Sequence, residues 1–389
     1  MIIESGSMKV AIFTGSSITS FGGGERGAIE LANELIRRGI YVVIFTPEDD
    51  SKKKISLSEI HGMCRAEIVR FNKLPFRFIP TIPFFSIKNL RYLKKMKAIY
   101  NIDESLFTGL FLSVYSRFKK IKYIYGMHIP DSFLFSNRSA QSKLKKKAWY
   151  LYRIPLQVFF KVFVQNIHVI NTSQVKSLHS IRFNGNMVLI PDFVYRNPEK
   201  IVFNDSKFVV LFTGVQSIEI KGVDLLVDII SSLLQKERDI KFYIAGGTGD
   251  GTYLINELAN KYPANIKNKG FVTEKELAEL HREASLFIFT SRIDSFSLGI
   301  VWAQSYGLPC VAFNIPGPMD ILTKPFQGSL ITPFDTSKFS ATILEFYIKW
   351  KTDRVAFNLL RNYIQKNIYN TLGPDIILPK IINLFSECE

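Results

Sequence analysis

Short apolar runs alternate along this chain with stretches in which apolar residues recur every three or four positions. Lys9 to Thr14 has the length and composition of a buried strand, and Ala28, Leu31, Ala32 and Leu35 then fall on one helical face. Arg37 and Arg38 sit in the last turn of that helix, with Gly39 as its stop, and Ile40 to Thr46 returns as a strand. A second series begins after Asn197-Pro198: strand Phe208 to Thr213, helix Gly222 to about Lys236, strand Ile240 to Ala245 and helix Tyr253 to Lys261. It continues with helix Glu274 to Glu283, strand Leu286 to Thr290, helix Ser297 to Tyr306 and strand Pro309 to Phe313. Strands alternating with helices predict α/β architecture with parallel sheets, and the gap between the two series predicts a linker near residues 192 to 206.

At 389 residues and 47% hydrophobic content, the chain can bury two cores, which favours two domains. Three cysteines, Cys64, Cys310 and Cys388, are far apart and lack metal-ligand spacing, so neither a disulfide framework nor a zinc site is expected; that usage suits a reducing cytosol. MIIESGSMKVAIFT lacks a basic region followed by a long apolar run, so no export signal is expected there, and the strand starting near Met8 leaves residues 1–7 as an extension.

The net charge of +16 is confined to one half. Residues 1–195 hold 29 Lys and Arg against 13 Asp and Glu, whereas residues 196–389 hold 21 of each. Clusters lie at Lys52 to Lys54, Lys94 to Lys97, Lys119-Lys120 and Lys143 to Lys147. Aromatic and aliphatic residues accompany them at Phe76 to Phe85 and Ala148 to Phe160. Such a mixture suits an anionic membrane surface, where each nearby cation contributes about 1 kcal/mol; core packing of the aromatics is the competing reading. Arg153, Pro155, Gln157 and Lys161 make the second stretch a poor spanning helix, and no zinc-finger or RNP-type motif points to nucleic acid.

The richest stretch for chemistry is Ser291 to Asp320: a polar loop opening a helix, a Gly-Leu-Pro turn, a buried strand, and a Gly-Pro-Met-Asp helix start. A helix N-terminus there offers unpaired N–H groups and partial positive charge to an anionic ligand. Gly22, Gly24 and Gly27 satisfy G-x-G-x-x-G, with Glu48 or Asp49 at the end of the following strand, but Gly15 to Phe21 inserts several residues before the first glycine. That longer loop suits a flexible lid better than a fixed pyrophosphate cradle, and glycines serving only as loop residues are the plainer alternative.

In order along the chain, GGGERGAIELANELIRRGIYVVIFT, VLFTG at 210–214, Lys221 to Leu226, FYIAGG at 242–247 and NKGFVTEKELAELHREASLFIFTSRIDSFSLGIVWAQSYGLPCVAF followed by PGPMD resemble glycosyltransferase family 4. The resemblance implies an α/β GT-B fold, two Rossmann-like domains facing across a cleft. It divides the chain into an acceptor-side domain at 1–195, a nucleotide-sugar domain at 196–370 and a C-terminal helix at 371–389 returning to the first domain. Carried over residue by residue, Gly22, Gly23 and Gly24 lie near the donor diphosphate or reacting sugar, and Lys221 neutralises the diphosphate. His128 faces the donor sugar, Asp294 contacts its hydroxyls, and Ser297, Leu298 and Gly299 offer backbone N–H groups to phosphate. Gly214 and Gly246 complete the implied donor-binding set.

Several positions depart from the family pattern. Asp294 stands for a glutamate and Ser297 for a glycine; Trp302 replaces the second acid, whose ribose hydrogen bonds an indole cannot accept. The arginine usual after the VLFTG-like strand is absent, with Val215 and Gln216 there, leaving Arg292 or a first-half cation to replace it. The implied activity is retaining transfer from a nucleotide sugar, a co-substrate, with no metal expected. The expected acceptor is a glycan or lipid-linked glycan at the cytoplasmic membrane face, with the enzyme cytoplasmic and peripheral. A non-catalytic GT-B subunit is the alternative.

Overall fold

The computed structural model describes residues 8–20, 22–48, 55–74, 82–129, 154–195 and 206–386. Clusters Lys52 to Lys54 and Lys143 to Lys147, and the stretches 76–81 and 148–153, lie outside them. The chain divides into two units, Met1–Pro191 with Pro374–Glu389, and Asp192–Gly373.

In the first unit the strands are β1 Lys9–Phe13, β2 Tyr41–Pro47, β3 Glu67–Leu74, β4 Ile82–Phe84, β5 Ala98–Asn101, β6 Lys122–Met127, β7 Asn166–Val169 and β8 Asn186–Leu189. They pair in the order β4-β3-β2-β1-β5-β6-β7-β8. All neighbours run parallel except β4, which pairs antiparallel with β3 at the edge. Strands with both faces covered read as near-continuous apolar runs, which is why Val10 to Phe13 and Val42 to Phe45 are fully buried. The helix Pro374–Ser386 packs in this unit: Asp375 pairs with Arg38 at 2.9 Å, and Phe385 meets the Tyr100 ring edge-on at 5.6 Å.

The second unit carries β9 Val209–Thr213, β10 Lys241–Ala245, β11 Ile266–Gly270, β12 Leu286–Phe289, β13 Cys310–Phe313 and β14 Gly328–Ile331. They form an all-parallel sheet in the order β11-β10-β9-β12-β13-β14. The helix Val223–Lys236 buries Val223, Leu226, Ile229, Ile230, Leu233 and Leu234, the spacing of one helical stripe, against that sheet. Thr273 caps the helix Glu274–Glu283 in a capping box with Glu276. Strand and helix boundaries lie within a residue or two of those read from periodicity.

The glycine-rich segment differs from the lid expected of it. Ile18–Ser20 is a short 3-10 turn whose residues are buried, and the Ile18 N–H donates to Thr46 Oγ1 at 2.8 Å. Gly22 is the N-cap of the helix Gly23–Arg37, so the glycines open a helix instead of hanging in a loop. The segment is held because the Thr14 and Thr46 hydroxyls, 3.0 Å apart, sit beneath it, one just past β1 and the other on β2.

Candidate functional site

The order of each sheet reverses direction once, and in open α/β sheets ligands bind beyond the carboxyl ends of the strands at that point. In the second unit the reversal lies between β9 and β12, so the loops after these two strands flank it. They carry Gly214 to Lys221 and Ser291 to Ser297.

Lys221 lies in the single turn Ile218–Lys221, and its Nζ donates to Asp294 Oδ2 at 2.9 Å. Two residues 73 positions apart are thereby joined. The lysine stem passes over Gly214, where an added Cβ would be 3.6 Å from Lys221 Cδ, and its ammonium sits 5.1 Å from the centre of the Phe289 ring. The second carboxylate oxygen of Asp294 accepts from the N–H of Ser297 at 2.6 Å, the N–H of Phe296 at 3.2 Å and Ser297 Oγ at 3.2 Å. One aspartate therefore both holds the lysine and orders the entry to the helix Leu298–Ser305.

Ser297 occupies the left-handed region with φ 68°. A side chain there costs about 1–2 kcal/mol, which accounts for the glycine of the family pattern; the Ser297 contact with Asp294 offsets part of it. Gly299 lies in the first turn of the helix, where an added Cβ would be 3.7 Å from Thr213 Oγ1 at the end of β9. Gly246 is the tightest position: an added Cβ would stand 1.7 Å from the Gly214 carbonyl oxygen. Gly214, Gly246, Lys221, Asp294, Ser297 and Gly299 thus form one connected group, with Leu298 at the start of the same helix. Trp302, one turn further on, is half-buried, and its carbonyl accepts from Ser305 Oγ at 2.7 Å.

Arg292, the second-unit candidate for the missing cation, is engaged by Asp224. Its Nη1 and Nη2 each lie 2.6 Å from a carboxylate oxygen of Asp224, and Nη1 also donates to the Ile218 carbonyl at 2.7 Å. The bidentate contact holds the Asp224 carboxyl below its ordinary pKa, against a smaller opposing effect of burial. With Arg292 N–H on the Ile220 carbonyl at 2.9 Å and Thr290 Oγ1 on that of Lys221 at 2.9 Å, this clamp ties the Lys221 turn to the loop after β12. The sequence offered one signal for it, an acidic residue in the first turn of a helix; the partner 68 positions away has none.

His128, Gly22, Gly23 and Gly24 belong to the first unit. An added Cβ at Gly23 or Gly24 would meet nothing within 4 Å, so the helix start there is open. His128 follows β6, and its Nε2 lies 2.6 Å from the Tyr100 hydroxyl. Cys64 and Cys310 are buried thiols whose pKa values burial pushes up, which removes them as nucleophiles. Among the described residues, no group of three His, Cys, Asp or Glu is arranged to hold a metal ion.

Two Rossmann-like sheets of this order, one with a lysine, a carboxylate and a helix N-terminus at its reversal, define a GT-B protein. Residues 21–194 match Glycosyltransferase Family 4, and residues 195–368 match Glycosyl transferases group 1. The chain belongs to glycosyltransferase family 4, whose enzymes are retaining glycosyltransferases. It is 25% identical over 135 residues to mannosylfructose-phosphate synthase of Agrobacterium fabrum, covering 32% of this chain and 30% of that protein. It is 24% identical over 226 residues to poly(ribitol-phosphate) alpha-N-acetylglucosaminyltransferase of Staphylococcus aureus, covering 57% of this chain and 42% of that protein. The chain thus spans less than half the length of either curated relative. Among solved structures, TarM of S. aureus superposes with a TM-score of 0.72 at 15% identity, covering 99% of this chain and 100% of that one. Anabaena HepE in complex with UDP and glucose gives 0.70 at 16% identity, covering 98% and 100%.

Proposed function

We propose that this protein is a retaining glycosyltransferase that moves a sugar from a nucleotide-sugar donor to an acceptor. The observation that carries the reading is the Lys221–Asp294 pair beside the helix entry at Ser297. When a sugar leaves its nucleotide, negative charge grows on the diphosphate, and a fixed cation with aligned N–H groups stabilises that charge without reorganising. Lys221 is the cation, with the N–H groups of Leu298 and Gly299 beside it, the Ser297 N–H expected to join them being committed to Asp294 instead; Asp294 takes donor-sugar hydroxyls, and Gly214 and Gly246 allow close backbone approach. For His128 and the helix start at Gly22 to Gly24, donor-contact roles rest on the family pattern alone. In front-face transfer the acceptor oxygen bonds to the anomeric carbon as the bond to phosphate breaks, and the acceptor proton passes to a phosphate oxygen.

A second reading, a non-catalytic partner subunit, is favoured by Trp302 in the second acid position and by Val215 and Gln216 in place of the arginine. Calorimetric titration with a panel of nucleotide sugars, followed by a hydrolysis assay, separates the two. Binding of one donor with slow hydrolysis is expected; binding with no turnover under any acceptor supports the subunit, and no binding at all overturns the transferase and leaves a structural role.

The acceptor side of the reading is a lipid-linked or otherwise anionic glycan at a membrane. The helical residues 154–163 bury Leu156, Phe159 and Phe160 in the first unit's core and expose Ile154, Val158 and Val162, one stripe at four-residue spacing. The exposed Lys161 lies on the same helix, and Phe118, Lys119 and Lys120 are exposed at the end of the helix Leu106–Lys119. No helix among the described residues is long and apolar enough to cross a membrane, which suits peripheral docking. Binding to anionic vesicles is expected to exceed binding to neutral ones and to fall as salt shortens the Debye length to about 8 Å. Lys119→Glu with Lys120→Glu should weaken it at least tenfold if roughly 1 kcal/mol is lost per lysine. Equal binding to both vesicle types in sedimentation would reject the docking surface.

A further inference from the structure

Lys221 sits in a single helical turn, Ile218–Lys221, none of whose residues is buried, so packing alone does not fix it. Hydrogen bonds do. The Ile218 carbonyl accepts from Arg292 Nη1 at 2.7 Å, the Ile220 carbonyl from the Arg292 N–H at 2.9 Å, and the Lys221 carbonyl from Thr290 Oγ1 at 2.9 Å. The Ile218 N–H in turn donates to Asp250 Oδ1 at 2.8 Å. Three carbonyls of the turn are therefore gripped from residues 290–292, while Asp294 meets the ammonium end.

The turn ends at Gly222, which lies in the left-handed region with φ 63° and donates its N–H to the Ile218 carbonyl at 3.1 Å. An added Cβ there would stand 2.3 Å from the Thr290 carbonyl oxygen and 3.4 Å from Arg292 Nη1, so the guanidinium passes over this corner. It bonds on both sides of it. Before Gly222 it holds the Ile218 carbonyl, and after Gly222 it holds both carboxylate oxygens of Asp224, in the first turn of the helix Val223–Lys236. The Phe334 ring supports the arm, with its centre 5.8 Å from the guanidinium carbon. A partly exposed ion pair contributes little by charge alone, but a planar fork bonded through both terminal nitrogens fixes direction as well as distance.

We propose that Arg292 and Asp224 are positioning residues that lock the Gly222 corner and thereby hold Lys221 where the leaving diphosphate develops its charge. The catalytic part rests on the assignment of Lys221 to the diphosphate. Misplacing a group at the reacting centre by about 1 Å can cost roughly 10²-fold in rate, so a pair that works through another residue can govern turnover.

Amide hydrogen exchange read by NMR tests the hold without any ligand. In Asp224→Asn and in Arg292→Lys, which keeps the charge but loses the fork, the N–H groups of Gly222 and Arg292 (or Lys in its place) should lose protection roughly tenfold, the effect of about one hydrogen bond to a charged group. Ile229 and Ile230, in the middle of the following helix, should keep theirs. Agreement of the two variants matters because Asp224→Asn also removes a charge from the first turn of a helix, and Arg292→Lys does not. A cycle with Lys221→Met then tests the role in catalysis, using hydrolysis of the nucleotide sugar that titration identifies. Each clamp variant should lower kcat roughly tenfold in the unaltered chain and less than about twofold in the Lys221→Met background, where nothing is left to position. A pair that merely supports the fold would lower the rate by one factor in both backgrounds. Unchanged protection at both amides, equal losses in both backgrounds, or a kcat indifferent to the clamp while Lys221→Met is slow overturns the positioning role. Faster exchange in the clamp variants, with Lys221→Met at the unaltered rate, supports the hold on the turn and removes Lys221 from the diphosphate.

Discussion

Replacing Lys221 by methionine is expected to lower sugar transfer roughly hundredfold while leaving the protein folded. Methionine preserves an apolar stem over Gly214 and against Phe289, so the change is almost confined to the ammonium. Removing one preorganised charged donor from a developing anion typically costs 10²–10³ in rate, and here Arg292 cannot compensate because Asp224 holds it in a bidentate contact. Asp294 keeps its bonds from the Ser297 and Phe296 N–H groups, so the helix entry should survive. Steady-state rates with the donor identified by titration, together with its Kd, provide the measurement. An unchanged rate and affinity would place the diphosphate away from Lys221. Asp294→Asn is the companion change: the amide oxygen can still accept from Ser297, so turnover should drop through weaker sugar contacts with little loss of stability.

Gly246→Ala is expected to destabilise the protein by at least about 3 kcal/mol, and Gly247→Ala by no more than about 0.5 kcal/mol. The two glycines are adjacent in sequence and opposite in environment. At Gly246 the added methyl would fall 1.7 Å from the carbonyl oxygen of Gly214, a backbone atom that cannot rotate away, and the residue has φ 149°. At Gly247 it would meet nothing within 4 Å. The β9 and β10 ends would have to separate for alanine to fit, and Gly214 N–H, which donates to the Ala245 carbonyl at 2.9 Å, would be disturbed with them. Urea denaturation midpoints of the two variants decide it; equal midpoints would mean that the strand ends yield freely, and donor binding should then be equal as well.

Much of this fold was legible locally. A strand buried on both faces must be apolar throughout, and a helix on a sheet must be apolar at every third or fourth position, so Val209–Thr213 and Val223–Lys236 announce themselves without reference to the rest of the chain. The capping box of Thr273 and Glu276 is equally local, since its two residues lie three positions apart. The glycine-rich segment opens a helix where its composition suggests a lid, because local composition gives flexibility and says nothing of Thr14 and Thr46 lying beneath it.

The ordered motifs of this chain determined its family, its two α/β units and the candidates Lys221 and Asp294, because each depends on residues close in sequence. Only the tertiary structure decided that Lys221 and Asp294 meet at 2.9 Å, that Arg292 is spent on Asp224, and that Tyr100 reaches His168 across Gly126. Those contacts join residues 68 to 73 positions apart. Such pairs leave no periodicity, since what brings them together is the order in which parallel strands lie side by side, and that order is set by packing of the whole sheet.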